Sequence, residues 1–111
     1  MPLIKLSCTQ KVSPELLGEL SSAVAETVGK PEQYVMVVAQ TAELMMSGSE
    51  GNAAYAEVKS IGGLNREVNG ALIKKICALM ERRLGIPSAR VYVTFQSVER
   101  DHWGWNSSTF G

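Results

Sequence analysis

Side chains that build metal and thiol sites are scarce in this sequence, which has one histidine and two cysteines in 111 residues. Cys8 and Cys77 lie far apart and belong to no Cys-x-x-Cys pair. The sequence therefore predicts neither a zinc framework nor a dithiol redox motif, and we interpret both cysteines as buried packing residues. A metal site that needs imidazole would have to be built around His102 alone, so we predict no metal site.

An excess of charge and a long hydrophobic run are also missing. Eleven basic residues balance eleven acidic ones, so no overall positive field attracts nucleic acid or an anionic membrane. No apolar stretch approaches the roughly 20 residues that span a bilayer, and the first residues lack the pattern of a signal peptide. The chain is predicted to be one domain, residues 1–111, with a cytoplasmic location and with neither nucleic acid nor membrane as a partner.

An internal repeat is the strongest pattern that the sequence does contain. Residues 29–40 and 85–96 align at an offset of 56 without a gap, and Gly, Pro, two Val and Gln coincide. Each copy combines a glycine that can end a helix, a proline that prevents its continuation and a β-branched run typical of a strand. The chain is interpreted as two similar halves, about 1–48 and about 53–100. The small polar residues of 46–52 are expected to form a flexible connector between them.

Each half is predicted to contain one amphipathic helix between two strands. Ser13 and Pro14 are typical of a helix start and precede apolar residues at helical spacing, which predicts a helix over 14–28. Asn65 precedes a second such pattern over 66–84. The order is βαββαβ, an α+β fold with a four-stranded mixed sheet and two helices on one face. Strands are expected at about 2–8, 34–40, 53–61 and 90–97.

The apolar residues of two strands predict self-association. Residues 35–38 and 91–93 are apolar at successive positions, so both faces of these strands need cover, whereas two helices cover only one face. In a monomer the second face would be a large exposed apolar patch. We therefore predict a homo-oligomer.

Pro2 is the first candidate functional residue, because it becomes the N-terminal residue if Met1 is removed. A free N-terminal proline is a secondary amine that can accept a proton, and burial lowers the ordinary α-amino pKa of about 7.7 to 8.0. The alternative role is structural, since the fixed φ and missing N–H of proline also suit the first residue of a strand. If Met1 remained, the Pro2 nitrogen would be an amide without usable basicity.

Five segments carry a resemblance to a known family. They are Met1-Pro2 at the head of a strand, Gly29-Lys30-Pro31-Glu32-Gln33-Tyr34, Ser60-Ile61-Gly62-Gly63-Leu64-Asn65-Arg66, Arg90-Val91-Tyr92 and Gly104-Trp105-Asn106-Ser107-Ser108-Thr109-Phe110. Together they resemble macrophage migration inhibitory factor (MIF) and its relatives in the tautomerase superfamily, from the first residue to the last. The resemblance implies a homotrimer of βαββαβ subunits, with the uncovered sheet face inside the trimer and one pocket at each subunit boundary.

The resemblance also implies a reaction. Pro2 is expected to be the general acid/base in the keto–enol tautomerisation of phenylpyruvate-like α-keto acids, without a metal or an organic cofactor. Lys30 matches the cation that faces the substrate carboxylate; without the family match it would be interpreted as a solvated lysine in a loop. Tyr92 matches a residue contributed by the neighbouring subunit, and packing is the alternative role of the aromatic residues. The expected substrate contacts are Tyr34, Val58, Ile61, Tyr92, Thr94, Trp103, Trp105 and Phe110.

Three positions depart from the family pattern. Thr94 stands where mammalian members typically have an asparagine that helps to hold the substrate's distal hydroxyl, which leaves a preference for a hydroxylated ring open. Trp103 stands where a smaller aliphatic residue is usual, and it is expected to narrow the mouth of the pocket. Residues 52–56 lack the family's Cys-x-x-Cys, so no thiol-oxidoreductase activity is expected.

Two other functions stay open. Animal members of the family signal by binding receptors on other cells, and they leave cells without a signal peptide, so a cytokine-like protein with a vestigial pocket is the main alternative. A ferredoxin-like binding module would fit the βαββαβ pattern equally well. The discriminating feature is the N-terminus, because a binding module tolerates residues ahead of Pro2 and the acid/base role forbids them.

Overall fold

Two helices pack on one face of a four-stranded sheet in the computed structural model, which describes all 111 residues. The expected βαββαβ order is confirmed, and both helices begin and end where the sequence predicts. A short C-terminal hairpin is an addition that the sequence patterns do not predict. The elements are β1 (Pro2–Cys8), α1 (Pro14–Val28), β2 (Met36–Thr41), β3 (Ala54–Ser60), α2 (Arg66–Leu84), β4 (Val91–Ser97), β5 (Gly104–Trp105) and β6 (Ser108–Thr109).

The sheet is mixed, with the strand order β2-β1-β3-β4. The β1/β2 and β3/β4 pairs are parallel, and β1 and β3 pair antiparallel at the centre. A helix connects the two strands of each parallel pair, so the two halves repeat one βαβ unit. In each half a 3₁₀ turn, Glu32–Tyr34 or Ser88–Arg90, precedes the second strand. This turn explains why β2 begins at Met36 and not at residue 34, and it shows that the repeat extends to the backbone.

The helix ends follow from local side-chain chemistry. Ser13 and Asn65 each accept a hydrogen bond from the backbone N–H three residues on, at 3.2 and 2.9 Å, which satisfies a donor that the first helical turn leaves free. Gly29 and Gly85 end the helices with φ of 76° and 64°, a conformation that glycine adopts without steric cost. Neither helix has the length and apolar character that a bilayer span would need.

The hydrophobic core lies between the helices and the inner face of the sheet. Alternate positions of β1 and β3 point into it, as the period-2 geometry of a strand requires. Cys8 is buried as expected, whereas Cys77 is only partly buried. The largest contributions come from Ile4, Leu6, Val58, Leu16, Leu20, Val24, Leu72, Ile76 and Met80.

The face of the sheet opposite the helices is mixed in character. Tyr55 Oη lies 3.1 Å from Thr94 Oγ1 on this face, and Gln40 donates to Ser7 Oγ at 2.8 Å. Apolar side chains therefore alternate with polar and charged ones, and Val37 and Val93 turn toward the helices and pack on the core. The interpretation of an apolar second face is correct only for part of it. The partly apolar members of the open face are Leu3, Met36, Val38, Tyr55 and Tyr92, and the polar ones include Lys5, Glu57, Lys59, Thr94 and Gln96.

The connector at 46–52 is held in place by Arg90. The Arg90 guanidinium donates to the carbonyl oxygens of Met46, Ser49 and Asn52 and to Ser49 Oγ, at 2.8 to 3.3 Å. Five donors in a fixed planar fork allow one arginine to make all these contacts. The expectation of a flexible connector is corrected accordingly, because one side chain from the second half fixes the segment.

Candidate active site

A groove of about 650 Å³ opens at the N-terminal end of β1. Three chain segments meet there, because β2 starts beside β1 in the parallel pair and the C-terminal hairpin folds across the same end. Pro2 lies in the groove with its ring fully buried. The lining is mainly apolar, which suits a small organic ligand. The lining residues are Met1, Pro2, Leu3, Gln33, Tyr34, Val35, Met36, Trp103, Gly104 and Trp105.

The surroundings of Pro2 lower the pKa of an amine at this end of β1. The Met1 carbonyl oxygen accepts a hydrogen bond from the Ile61 N–H at 3.3 Å, just after β3 ends. Burial lowers the pKa of the Met1 amino group, and the positive charge of Lys30 lowers it further. This end of β1 is therefore an environment in which a chain-terminal amine is more often neutral, and so more available as a base, than in water.

Lys30 is placed by the end of α1. Its backbone N–H and that of Gly29 both bond to the Ala25 carbonyl, at 3.1 and 3.0 Å, so the residue has a fixed origin next to the helix cap. The side chain is half-buried and runs past Gly63 of the β3–α2 turn. Its charge acts on the terminal amine, as the lowered pKa of that amine indicates. The structure thus brings the Lys30 charge and the Ile61 N–H close to the chain start at Pro2, and their roles toward a substrate stay predictions.

Aromatic side chains form one wall of the groove. Tyr34 and Trp105 are 41% and 58% exposed, so both present ring surface to a ligand, and Trp103 is half-buried beside them. Phe110 stacks on Trp105 with the ring centroids 6.2 Å apart and the planes within 6°. Phe110 therefore supports the wall from behind and is not itself among the groove residues.

The hairpin that carries this wall is fixed to the preceding turn. The Phe110 N–H is shared between the carbonyls of Arg100 and Trp103, at 3.1 and 3.2 Å, and Arg100 Nε donates to the Phe110 carbonyl at 3.2 Å. Asn106 and Ser107 have φ of 51° and 71°, the left-handed pair that closes a tight two-residue hairpin. The aromatic wall is accordingly a defined element and not a loose tail.

Besides Phe110 behind the wall and Ile61, which reaches the chain start through its backbone N–H, three expected contacts lie away from this groove. Val58 is 1% exposed and packs in the core opposite Ile4, so its side chain has no surface for a substrate and its expected role is corrected to packing. Tyr92 lies in the sheet row of Ser7, about 16 Å along β1 from Pro2, and Thr94 lies on the open face. Within one chain neither Tyr92 nor Thr94 reaches the groove.

The groove also contains residues that no sequence pattern singles out. Leu3 and Met36 are direct partners across the parallel β1/β2 pair, and Gln33 and Val35 flank Tyr34 at the start of β2. The signal that could identify them is the parallel pairing itself, which places the start of β2 beside the start of β1. No group of three or more His, Cys, Asp or Glu side chains is arranged to hold a metal ion.

Comparison with known proteins identifies the family. The family model described as "Macrophage migration inhibitory factor (MIF)" matches residues 1–111. The MIF homolog of Brugia malayi is 36% identical over 101 residues, covering 90% of this chain and 88% of that protein. The MIF of Meriones unguiculatus is 34% identical over 112 residues, covering 99% and 97%. The crystal structure of the MIF homologue from Prochlorococcus marinus has a TM-score of 0.92 and 41% identity, covering 98% and 99%. This chain belongs to the macrophage migration inhibitory factor family.

Proposed function

We propose that this protein is a tautomerase that interconverts the keto and enol forms of phenylpyruvate-type α-keto acids, with the Pro2 amine as general acid/base. The observation that carries the proposal is the environment of the chain start. Pro2 heads β1 in an aromatic-walled groove, where burial and the Lys30 charge both lower the pKa of a terminal amine. Membership of the MIF family supports the same class of chemistry.

Removal of Met1 is the step that creates the base. The Pro2 nitrogen is part of an amide while Met1 is attached, and it becomes a secondary amine once Met1 is cleaved. The neutral amine takes the proton from the enol hydroxyl or from the carbon next to the carbonyl, and it returns the proton to the other atom. One base therefore serves both half-reactions, and no metal or organic cofactor is required.

The same cleavage frees a hydrogen-bond donor. With Met1 present, the Ile61 N–H donates to the Met1 carbonyl oxygen. After cleavage this N–H is available to a substrate oxygen, next to the positive charge of Lys30. We assign Lys30 and the Ile61 N–H to the carboxylate and to the oxygen on which negative charge develops during proton transfer. Tyr34, Trp103 and Trp105 then receive the aryl group, with Phe110 supporting Trp105.

A homotrimer completes the proposal. Tyr92 lies in a sheet row about 16 Å along β1 from Pro2, two strands to the side, and is 65% exposed, so only a second copy can bring its ring to the groove. The open sheet face, with Tyr92 on it, supplies a partly apolar surface that association would cover. Light scattering on the purified protein tests this assembly, since a trimer has three times the 12.0 kDa mass of one chain.

The deciding experiment measures phenylpyruvate tautomerisation by protein whose intact mass confirms the loss of Met1. Pro2→Gly is the test variant, and protein that retains Met1 is a second comparison, in which the Pro2 nitrogen is an amide, Met1 lies in the groove and its carbonyl oxygen occupies the Ile61 N–H. We expect activity in the processed protein and its near-complete loss in both others. Comparison with 4-hydroxyphenylpyruvate then tests whether the Thr94 departure affects the distal hydroxyl.

Equal activity in the processed and the Met1-retaining protein would show that the proline amine is not the base. No activity in the processed protein would refute the tautomerase proposal and leave the cytokine-like alternative, in which the groove is vestigial and receptor binding is the function. In that case a cell-surface binding assay is the next measurement.

A further inference from the structure

The turn between β3 and α2 carries two parts of the proposed site. Its Ile61 N–H is the donor at the groove, and Gly63 lies two residues further on, against the end of α1. The turn is held from within, because Ser60, which is fully buried, donates from Oγ to the Gly62 carbonyl at 2.7 Å. Asn65 then caps α2 and holds the other end of the turn. The segment has little freedom to move away from its neighbours.

Gly63 lies closer to those neighbours than any other residue type permits. A Cβ at this position would lie 2.8 Å from Val28 Cγ1, 3.0 Å from the Val28 carbonyl oxygen and 3.4 Å from Lys30 Cε. Val28 is buried in the core and its carbonyl belongs to the end of α1, so neither atom can yield easily. An alanine here must move away from Val28 to relieve these two contacts, and Lys30 Cε, at the limit of ordinary van der Waals contact, is the flexible one of the three nearest atoms.

We infer that Gly63 is a positioning residue for Lys30: the missing side chain leaves the space through which the Lys30 side chain reaches the N-terminal end of β1. The inference rests on the proposed function and adds to it a residue that touches neither substrate nor base. The Lys30 backbone is fixed by its hydrogen bond to Ala25, so the position of the ammonium depends on the path that the side chain takes. Gly63 forms one side of that path.

The test substitution is Gly63→Ala, and the chain offers a matched control in Gly62→Ala. Both glycines have positive φ, 82° and 70°, so alanine strains the backbone at either position. A Cβ on Gly62 meets nothing within 4 Å. The difference between the two variants therefore reports the steric effect on Lys30 and Val28, separated from the backbone strain.

We expect Gly63→Ala to raise KM for phenylpyruvate on the order of 3-fold to 10-fold relative to Gly62→Ala, less than complete removal of the Lys30 charge would cause, with a smaller change in kcat. The reason is that the displaced ammonium binds the carboxylate less well while the base stays in place. If Gly63 acts through Lys30, its substitution should have no specific effect once the lysine is gone. In the Lys30→Met background, Gly63→Ala should therefore change KM no more than Gly62→Ala does in the same background. An effect of Gly63→Ala that is equally large without the lysine would overturn the inference.

A second readout does not depend on turnover. Nitrogen-15 labelling of proline allows NMR titration of the Pro2 amine in protein that has lost Met1. The Lys30 charge lowers the pKa of the Met1 amino group, and we infer that it acts in the same direction on the Pro2 amine once Met1 is lost. Gly63→Ala should then raise the pKa of the Pro2 amine toward the value in Lys30→Met, and Gly62→Ala should not. This titration separates the role of Gly63 from the tautomerase proposal, since the pKa of the Pro2 amine can be measured in a protein without tautomerase activity. Identical titration curves for both glycine variants would contradict the role of Gly63.

If Gly63→Ala does not fold, the same comparison is made on a Val28→Ala background, which removes the 2.8 Å contact and keeps the contacts with the Val28 carbonyl oxygen and with Lys30. We expect the rise in the amine pKa to persist there. Its absence in a folded Val28→Ala/Gly63→Ala protein would refute the inference, because the remaining side-chain contact is the one with the lysine.

Discussion

Replacement of Lys30 by methionine tests the electrostatics of the site most directly. The substitution keeps the length and much of the apolar stem of the side chain and removes the charge. A hydrogen bond to a charged group contributes about 1.5 to 3 kcal/mol, and the half-buried position of Lys30 places it near the lower end because solvent screens the pair. We therefore expect kcat/KM for phenylpyruvate to fall about 10-fold to 30-fold.

The loss should also depend on pH, in a direction that the structure fixes. Burial and the Lys30 charge lower the pKa of the Met1 amino group, and the same charge faces the Pro2 amine of the processed protein, so its removal should raise the pKa of the Pro2 amine. The base must be neutral, and below its pKa the neutral fraction falls about tenfold per pH unit. The acid limb of the kcat/KM profile therefore moves to higher pH in Lys30→Met, and the ratio of wild type to variant is larger at low pH than on the alkaline plateau.

The assay follows kcat/KM of processed protein from about pH 5 to about pH 9. Lys74→Met is the matched control, since it removes one exposed lysine from α2, away from the groove. It gives the protein the same net charge as Lys30→Met does. A ratio that does not vary with pH would show that Lys30 does not act on the base. Equal losses in Lys30→Met and Lys74→Met would refute the local electrostatic reasoning altogether.

Three further outcomes follow from the packing. Trp105→Ala should raise KM for phenylpyruvate about tenfold and change KM for pyruvate much less, since it removes the wall that Phe110 supports; equal changes for both substrates would contradict an aryl contact. Leu72→Ala should lower the free energy of unfolding in urea by about 2 to 5 kcal/mol, because its side chain is fully buried; a cost under about 1 kcal/mol would contradict that burial. Arg90→Met should speed amide hydrogen exchange across 46–52 relative to an Arg66→Met control, and unchanged exchange would show that the clamp is not needed.

The sequence was sufficient for the helices because their signals are local. Ser13 and Asn65 as caps, the helix-ending glycines and the 3.6-residue apolar period all act within a few residues of each other. The strand order cannot be predicted from local signals alone. The internal repeat simplifies the prediction, because it shows that one βαβ unit is used twice. The confirmed fold therefore follows from patterns that neighbouring residues carry on their own.

The parts that the sequence did not predict depend on contacts between distant segments. Met36 enters the groove because β2 pairs with β1 in a particular register, and the hairpin of β5 and β6 has strands too short to show an alternating pattern. The connector is fixed by an arginine 38 residues away from Asn52. Val58 is a different case, because the alternation of β3 assigns it to the core, and the family resemblance led to the wrong role.

The repeat also shows how one of two equivalent loops came to be the candidate site. Gly29–Tyr34 and Gly85–Arg90 share a left-handed glycine, a proline and a 3₁₀ turn. At the position equivalent to Lys30 the second copy has Ile86, which is fully buried in the core. At the position equivalent to Tyr34 it has Arg90, which clamps the connector. The same backbone thus serves packing in one half and presents a charge and a ring in the other.

The strand register explains why these roles could not be exchanged. Leu3 pairs with Met36 and Tyr55 pairs with Tyr92, and Met36 and Tyr92 are equivalent at the offset of 56. The counterpart of Pro2 is therefore Ala54, a buried residue within the chain. A peptide nitrogen there carries no basic lone pair, because resonance delocalises it into the carbonyl. Only the loop next to the start of β1 can act on a chain-terminal amine at Pro2, so a lysine in the second loop would have had no such amine to influence.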